Sequence, residues 1–428
     1  MIPLMHTKDK VFYDILFRIK KRGELFDEEL WMAVKEIVSA VAIKGDEALF
    51  YYTEKFDGIS LTAQNVKVSH EERKRAAALL PSEAEEALRI AASRIRRFHE
   101  KQHLSSLELA EEEGILLAQR ILPLKRVGIY APGGRAVYPS TVLMAAIPAK
   151  IAGVEEVIMV TPCGKEGINP LIAAAADLAG VDEIYKIGGA QAIAALAYGT
   201  HSIPQVDKIV GPGNAYVTAA KKMVFGQVAI DMIAGPSEVL IIADKEAPPS
   251  YIAADLLAQA EHDTMASALL LTPYEEVAQA VAKEICRQIE SLSRKEIIVQ
   301  SLRDFGALVV TRDFAEAITI ANDFAPEHLE LMVRNPEEIL SRVRNAGAIF
   351  LGYSTPETLG DYLAGCNHIL PTGGTARFSS PLGVYDFLKR TSILKFSPQA
   401  LGRYQQTVSQ LAQLEGFDAH GKSTTVRL

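Results

Sequence analysis

Several polar clusters in this chain have the residue types and spacing for chemistry. Asp255, Gln259 and His262 recur at i, i+4 and i+7, which on one helix would stack them along a single face. A glutamine oxygen and a histidine nitrogen so spaced can reach one metal ion. In Ala325-Pro-Glu327-His328 a carboxylate and an imidazole adjoin after a proline, the pair that acid–base chemistry near neutral pH requires. A further cluster holds Glu357, Asp361, Cys366, Asn367 and His368, then Pro371-Thr-Gly-Gly-Thr375, and its Gly, Asp and His content reads as a binding loop. Glu415 and His420 flank the end of a terminal helix. Each has a plain structural alternative: a helical His and Gln bonded to backbone, a Glu-His pair opening a strand, a fraying tail.

The elements that must position these groups are legible from periodicity. Residues 1–60 read as helical, with Phe12, Ile15, Leu16 and Ile19 and then Trp31, Val34, Ile37, Val38 and Val41 at helical spacing. From residue 126 short apolar runs alternate with helices, which predicts a mostly parallel, doubly wound sheet. Arg126-Val-Gly-Ile-Tyr130, Glu156–Val160, Glu183–Ile187 and Lys208–Val210 are its strands. Three of the crossings carry glycine-rich loops: Ala131-Pro-Gly-Gly-Arg135, Gly188-Gly-Ala-Gln191 and Gly211-Pro-Gly-Asn214. Such loops at helix starts can hold an anionic ligand, although none matches G-x-G-x-x-G. Glu238–Asp244, Ser267–Thr272, Ala307–Val310, Leu329–Val333 and Ala348–Leu351 form a second strand series, and a helix from about Pro398 to Gly416 closes the chain.

Hydrophobic residues are 49% and charged residues 23% of the 428, an ordinary globular balance, and the length suggests about two or three domains. A net charge of -8 without a Lys/Arg block argues against nucleic-acid binding. Three distant cysteines encode neither a disulfide framework nor a CxxC zinc site, and Cys163 has no adjacent base to activate it. No apolar run approaches membrane-spanning length, and the charged N-terminus lacks a signal peptide's apolar stretch, so the expected location is cytoplasmic.

Taken together and in order, these motifs resemble the histidinol dehydrogenase family. The resemblance is carried by Gly235-Pro-Ser237-Glu238, by Asp255…Gln259-Ala-Glu-His262-Asp263, and by Ala325-Pro-Glu327-His328-Leu-Glu330. Gly360-Asp361-Tyr362, Gly365-Cys-Asn-His368, the terminal Glu415…His420 and the three glycine loops extend it from about residue 25 to the end. The resemblance implies oxidation of L-histidinol to L-histidine through L-histidinal, with two NAD+ and one Zn2+ per subunit. It implies Gln259, His262, Asp361 and His420 as metal ligands, His328 as the base for the hydroxyl proton, and Glu327 as the base that activates water. Ser237, His368 and Glu415 match substrate-contacting positions, as do His328 and the four ligands, and Tyr130, Gln191 and Asn214 match NAD-contacting positions.

The same resemblance implies two incomplete Rossmann-like doubly wound α/β domains with mainly helical terminal extensions. The expected borders are 1–25 for an N-terminal helical extension and 26–127 with 238–380 for a discontinuous domain bearing metal and catalytic residues. A second domain, 128–237, would carry the NAD loops, and 381–428 a helical tail. It further implies a homodimer whose active sites are shared between subunits. Two rivals remain: a zinc hydrolase, weakened by the absence of HExxH, and a catalytically silent scaffold, which would predict loss of one of the scattered ligands.

Overall fold

The computed structural model describes residues 2–22, 27–110, 112–133 and 137–428. Its two large sheets are wholly parallel. The first contains β1 (Leu4–His6), β9 (Glu238–Ala243), β10 (Ser267–Thr272), β11 (Gly306–Val310), β12 (His328–Met332) and β13 (Ala348–Leu351), in the order β1-β11-β10-β9-β12-β13. The second contains β4 (Arg126–Tyr130), β5 (Glu156–Val160), β6 (Glu183–Tyr185), β7 (Lys208–Val210) and β8 (Ala229–Ile230), in the order β6-β5-β4-β7-β8. Counted along the chain with β1 set aside, which is added at the β11 edge of the first sheet, both run 3-2-1-4-5, a doubly wound core of five strands. The expected pair of incomplete Rossmann-like units is therefore present.

These strands are apolar runs because helices cover both faces. Every residue of β9, β10, β11 and β12 is buried, among them the polar Glu238, Ser267, His328 and Glu330. A charged residue inside such a sheet is costly without a partner or a function.

Three expectations are corrected. Residues 1–25 are not merely a helical extension: β1 pairs with β11, Leu4 opposite Leu308, before the helix Lys10–Lys21 packs beside it. Three residues are too few for periodicity to reveal a strand. The helix Glu28–Lys44 packs on the helices Gly189–Tyr198 and Ala215–Val224 of the second unit, Asp46–Asp57 packs on Gly189–Tyr198, and Ser82–His99 packs on the helix Pro139–Ala152 of that same unit. Grouping 26–127 with 238–380 thus does not follow the packing. The tail is also not all helix: β14 (Leu388–Phe396) pairs antiparallel with β3 (Ile115–Pro123), beside β2 (Leu107–Leu109), before the helices Pro398–Leu414 and Asp418–Thr425. No helix among the described residues is long and apolar enough to cross a membrane.

Candidate active site and metal centre

Two edges of the fold carry the predicted residues. In the second sheet the three glycine loops follow β4, β6 and β7, and β4 and β7 flank the reversal of strand order. A ligand is expected there. Tyr130 ends β4, and its hydroxyl accepts a hydrogen bond from Gly189 N at 3.1 Å. Its carbonyl oxygen faces Gly211, whose φ is 111° and where a Cβ would meet that oxygen at 2.3 Å. Only glycine fits. Tyr130 thereby ties the loops together. Gln191 is 1% exposed, and neither amide atom has a partner among the described residues. Asn214 caps the helix Ala215–Val224, its side chain accepting from Val217 N at 3.1 Å. The loop Ala131–Arg135 lies partly outside the described residues.

In the first sheet the site lies at the opposite edge. Glu238 opens β9, Glu327 precedes β12 and His328 opens it, so these side chains gather at the N-terminal ends of adjacent strands. Glu238 N donates to Glu327 Oε2 at 2.9 Å, and Glu327 N donates to Glu238 Oε2 at 3.3 Å. Ala325 makes the turn before them with φ 52°, left-handed backbone at a residue other than glycine. His328 Nδ1 donates to Glu238 O at 3.0 Å, leaving Nε2 buried without a hydrogen-bond partner among the described residues, 3.8 Å from Asp361 Oδ1.

The helix Pro249–Ala260 delivers Gln259 to this edge, buried at 1% exposure with both amide atoms unpartnered among the described residues. His262 is not on that helix as expected. The helix stops at Ala260, and His262 follows on a turn, its N–H bonded to Gln259 O at 3.3 Å. The short helix Glu357–Tyr362 brings Asp361 in from the other side. His262, Glu357 and Asp361 place their ligand atoms within 4.8 Å of one another. Gln259, His262 and Asp361 are thus delivered to one edge, but Glu357 was not assigned a role from the sequence. The i, i+4 spacing of Glu357 and Asp361 on one helix was the signal available.

Electrostatics sharpen the picture. Burial pushes Glu327 well above the usual carboxylate range, Glu238 and Asp361 add to the rise, and Arg22 opposes it. Glu357 is raised well above that range by burial and then by Glu330, Asp361, Asp255 and Glu327, and both of its oxygens lack a hydrogen-bond partner among the described residues. Behind them Asp255, pushed up to about 6 chiefly by burial, shares a hydrogen bond with Glu330. Burial holds His328 and His368 below the ordinary histidine value. Arg22, bonded to Glu238 at 2.9 Å, is the buried cation set among these acids. A cleft so rich in buried carboxyls favours a bound cation.

The remaining predicted residues divide. Ser237 is half-buried, its carbonyl accepting from Ser267 N at 3.0 Å. His368 Nδ1 donates to Asp361 O at 2.9 Å, and its Nε2 lies 3.4 Å from Thr141 Oγ1 at the start of Pro139–Ala152, so it links the two halves. Glu415 and His420 are exposed. The His420 ring rests on Phe417, and its N–H and carbonyl bond within the tail. Cys163 is buried, its thiol pushed up to about 12, as an unreactive structural cysteine should be.

The family model for histidinol dehydrogenase matches residues 20–428. The chain belongs to the histidinol dehydrogenase family. It is 53% identical to the histidinol dehydrogenase of Syntrophotalea carbinolica over 428 residues, covering 100% of this chain and 99% of that one. It is 53% identical to that of Aquifex aeolicus over 409 residues, 96% of this chain and 95% of the relative. The crystal structure of histidinol dehydrogenase from Elizabethkingia anophelis superimposes with a TM-score of 0.92 at 37% identity, covering 100% of this chain and 98% of that one. As a histidinol dehydrogenase family member the chain is an NAD-linked oxidoreductase of histidine biosynthesis.

Proposed function

We propose that this chain oxidises L-histidinol to L-histidine through L-histidinal, with two NAD+ in succession and one zinc ion. The observation that carries the metal assignment is the cluster of His262, Glu357 and Asp361, with the buried Gln259, whose amide atoms have no partner among the described residues, one turn before His262. A nitrogen/oxygen donor set of this kind suits a divalent ion, and Glu357 stands within the same cluster. When bound, zinc supplies an anchor for the substrate's imidazole and amine, and NAD+ supplies the hydride acceptor. Gln259, His262 and Asp361 would hold the ion, with His420 as the fourth ligand. Tyr130, Gln191 and Asn214 would bind NAD+. Ser237, His368 and Glu415 would contact the substrate, with Glu415 facing its cationic groups.

The proton chemistry falls to His328 and Glu327. His328 Nε2 carries a free lone pair and takes the hydroxyl proton as the alcohol is oxidised. Glu327 then takes a proton from water as the water oxygen bonds to the aldehyde carbon. The carbonyl oxygen recovers the proton held by His328, giving the hydrate that the second oxidation consumes.

We also propose a homodimer in which His420 and Glu415 complete the partner's site. Both are exposed here, and the apolar side chains around them, Leu411, Leu414, Phe417 and Val426, are exposed as well. The catalytic unit is taken as 238–380 with β1 and the first helix, and the NAD unit as 128–237 with the helices of 28–99. A cytoplasmic location, the expectation from the charged N-terminus, suits an enzyme of histidine biosynthesis. Adding L-histidinol and NAD+ and following absorbance at the NADH wavelength tests the activity. A rise is expected, whereas a hydrolase or a silent scaffold would give none.

A further inference from the structure

The N-terminal helix ends on a residue that the reaction as described leaves unused. Arg22 closes Lys10–Lys21 and is 6% exposed, unlike the solvated Lys20 and Lys21 before it. Its guanidinium donates to Ile19 O at 2.8 Å, Met265 O at 2.9 Å, Pro236 O at 3.2 Å, Ser237 O at 3.4 Å and Glu238 Oε1 at 2.9 Å. A buried guanidinium is tolerated only when its donors are matched by oxygens in a fixed fork. Here the fork spans the turn that carries Ser237 and the residue that opens β9.

Glu238 passes this constraint on. One of its oxygens takes the Arg22 bond, the other accepts from Glu327 N at 3.3 Å, and its own N–H fixes Glu327 Oε2 at 2.9 Å. Glu327 is thus clamped at its backbone and at one carboxylate oxygen, both through a residue that Arg22 holds. Removing Arg22 leaves Glu238 buried without its counter-charge, free to turn away from Glu327 N. His328 is anchored differently, on the Glu238 main-chain carbonyl.

We propose that Arg22 is a positioning residue for the water-activating step, setting through Glu238 the direction in which Glu327 presents its carboxylate to the cleft. This rests on the reading of Glu327 given above. It assigns a catalytic consequence to the end of the first helix and predicts an asymmetry. Aldehyde oxidation should depend on Arg22 more than alcohol oxidation does.

The test uses the zinc-loaded enzyme and compares NADH formed in the first turnover of L-histidinol with NADH formed from L-histidinal supplied directly. Arg22→Met should slow histidinal oxidation at least about tenfold, part of the roughly 10²–10⁴ that loss of a positioned base costs, with the first turnover of histidinol changing less than about threefold. Arg22→Lys keeps a cation without the fork and should recover part of the loss. If Arg22→Met does not fold, Arg22→Lys carries the test through the same selective slowing on histidinal. Glu327→Gln runs beside them. Should it slow histidinal oxidation while the Arg22 variants spare it, or slow both oxidations alike, the inference about Arg22 is overturned. Should Glu327→Gln itself match the unaltered enzyme on histidinal, the reading of Glu327 fails first, and the inference with it.

Discussion

His328 Nδ1 lies 3.0 Å from the carbonyl oxygen of Glu238, and a carbonyl can only accept. Nδ1 therefore carries the ring proton, and the lone pair sits on Nε2, facing the cleft. Proposed as the base for alcohol oxidation, His328 should cost about 10²–10⁴ in rate when replaced by Asn. Burial holds its pKa below the ordinary histidine value, so the neutral form persists as pH falls past that value. Alcohol oxidation should lose rate only on the acid side of the ordinary value. A limb on the alkaline side of it would contradict this assignment.

The orphaned amide of Gln259 makes metal content a direct readout. Gln259→Ala and His262→Asn should each lower bound zinc, measured by elemental analysis of the purified protein, without unfolding the body. Chelation should abolish oxidation while NAD+ still binds, and added zinc should restore it. An active protein without a divalent ion would end the metal reading.

A buried ion pair braces the third glycine loop. Lys221 and Asp231 are bonded, their side chains 3% and 1% exposed. Asp231 also accepts from Gly211 N at 2.7 Å, and Lys221 donates to Gly211 O at 2.9 Å. Asp231→Asn should raise the KM for NAD+ with little change in kcat at saturation, since the brace touches the loop and not the reacting atoms. It should also destabilise the fold by about 3–5 kcal/mol, the usual result of breaking a buried pair. An unchanged KM would remove this loop from cofactor binding.

The carboxyls of Asp255 and Glu330 predict a stability that falls as pH rises. Burial raises both above their unfolded values, Asp255 to about 6 and Glu330 well above the usual range. A group whose folded pKa is raised stabilises fully below its unfolded pKa and loses that contribution as pH rises through the folded one. Glu330→Gln removes one ionisation. Metal-free Glu330→Gln should therefore gain Tm relative to the unaltered chain more at pH 8 than at pH 5. Equal differences at the two pH values would contradict a raised Glu330 carboxyl.

Much of this was legible because apolar strands and helical stripes have different periods. The core strands, the glycine loops and the order of the polar motifs all emerged from local pattern. What was not legible is non-local. β1 and the β3–β14 pair need partners hundreds of residues away, and β14 is almost wholly exposed, without a buried face to mark it. Arg22 stands among Arg18, Lys20 and Lys21, and nothing in one sequence marks which of the four is buried. Glu357 was visible as an acid but not as a neighbour of His262, which only the fold brings close, from the turn after Pro249–Ala260 and the helix Glu357–Tyr362.

The proposal that the site is completed by a second subunit has the sharpest test. Asp361→Ala and His420→Ala homodimers should each be inactive. When the two are unfolded and refolded together, a mixed dimer with a shared site has one site with both lesions and one with neither. Random pairing should then restore roughly one site in four, by the symmetry of a two-fold dimer. A mixture that stays inactive, although each protein refolds and dimers exchange, would place His420 in its own subunit's site and contradict the account.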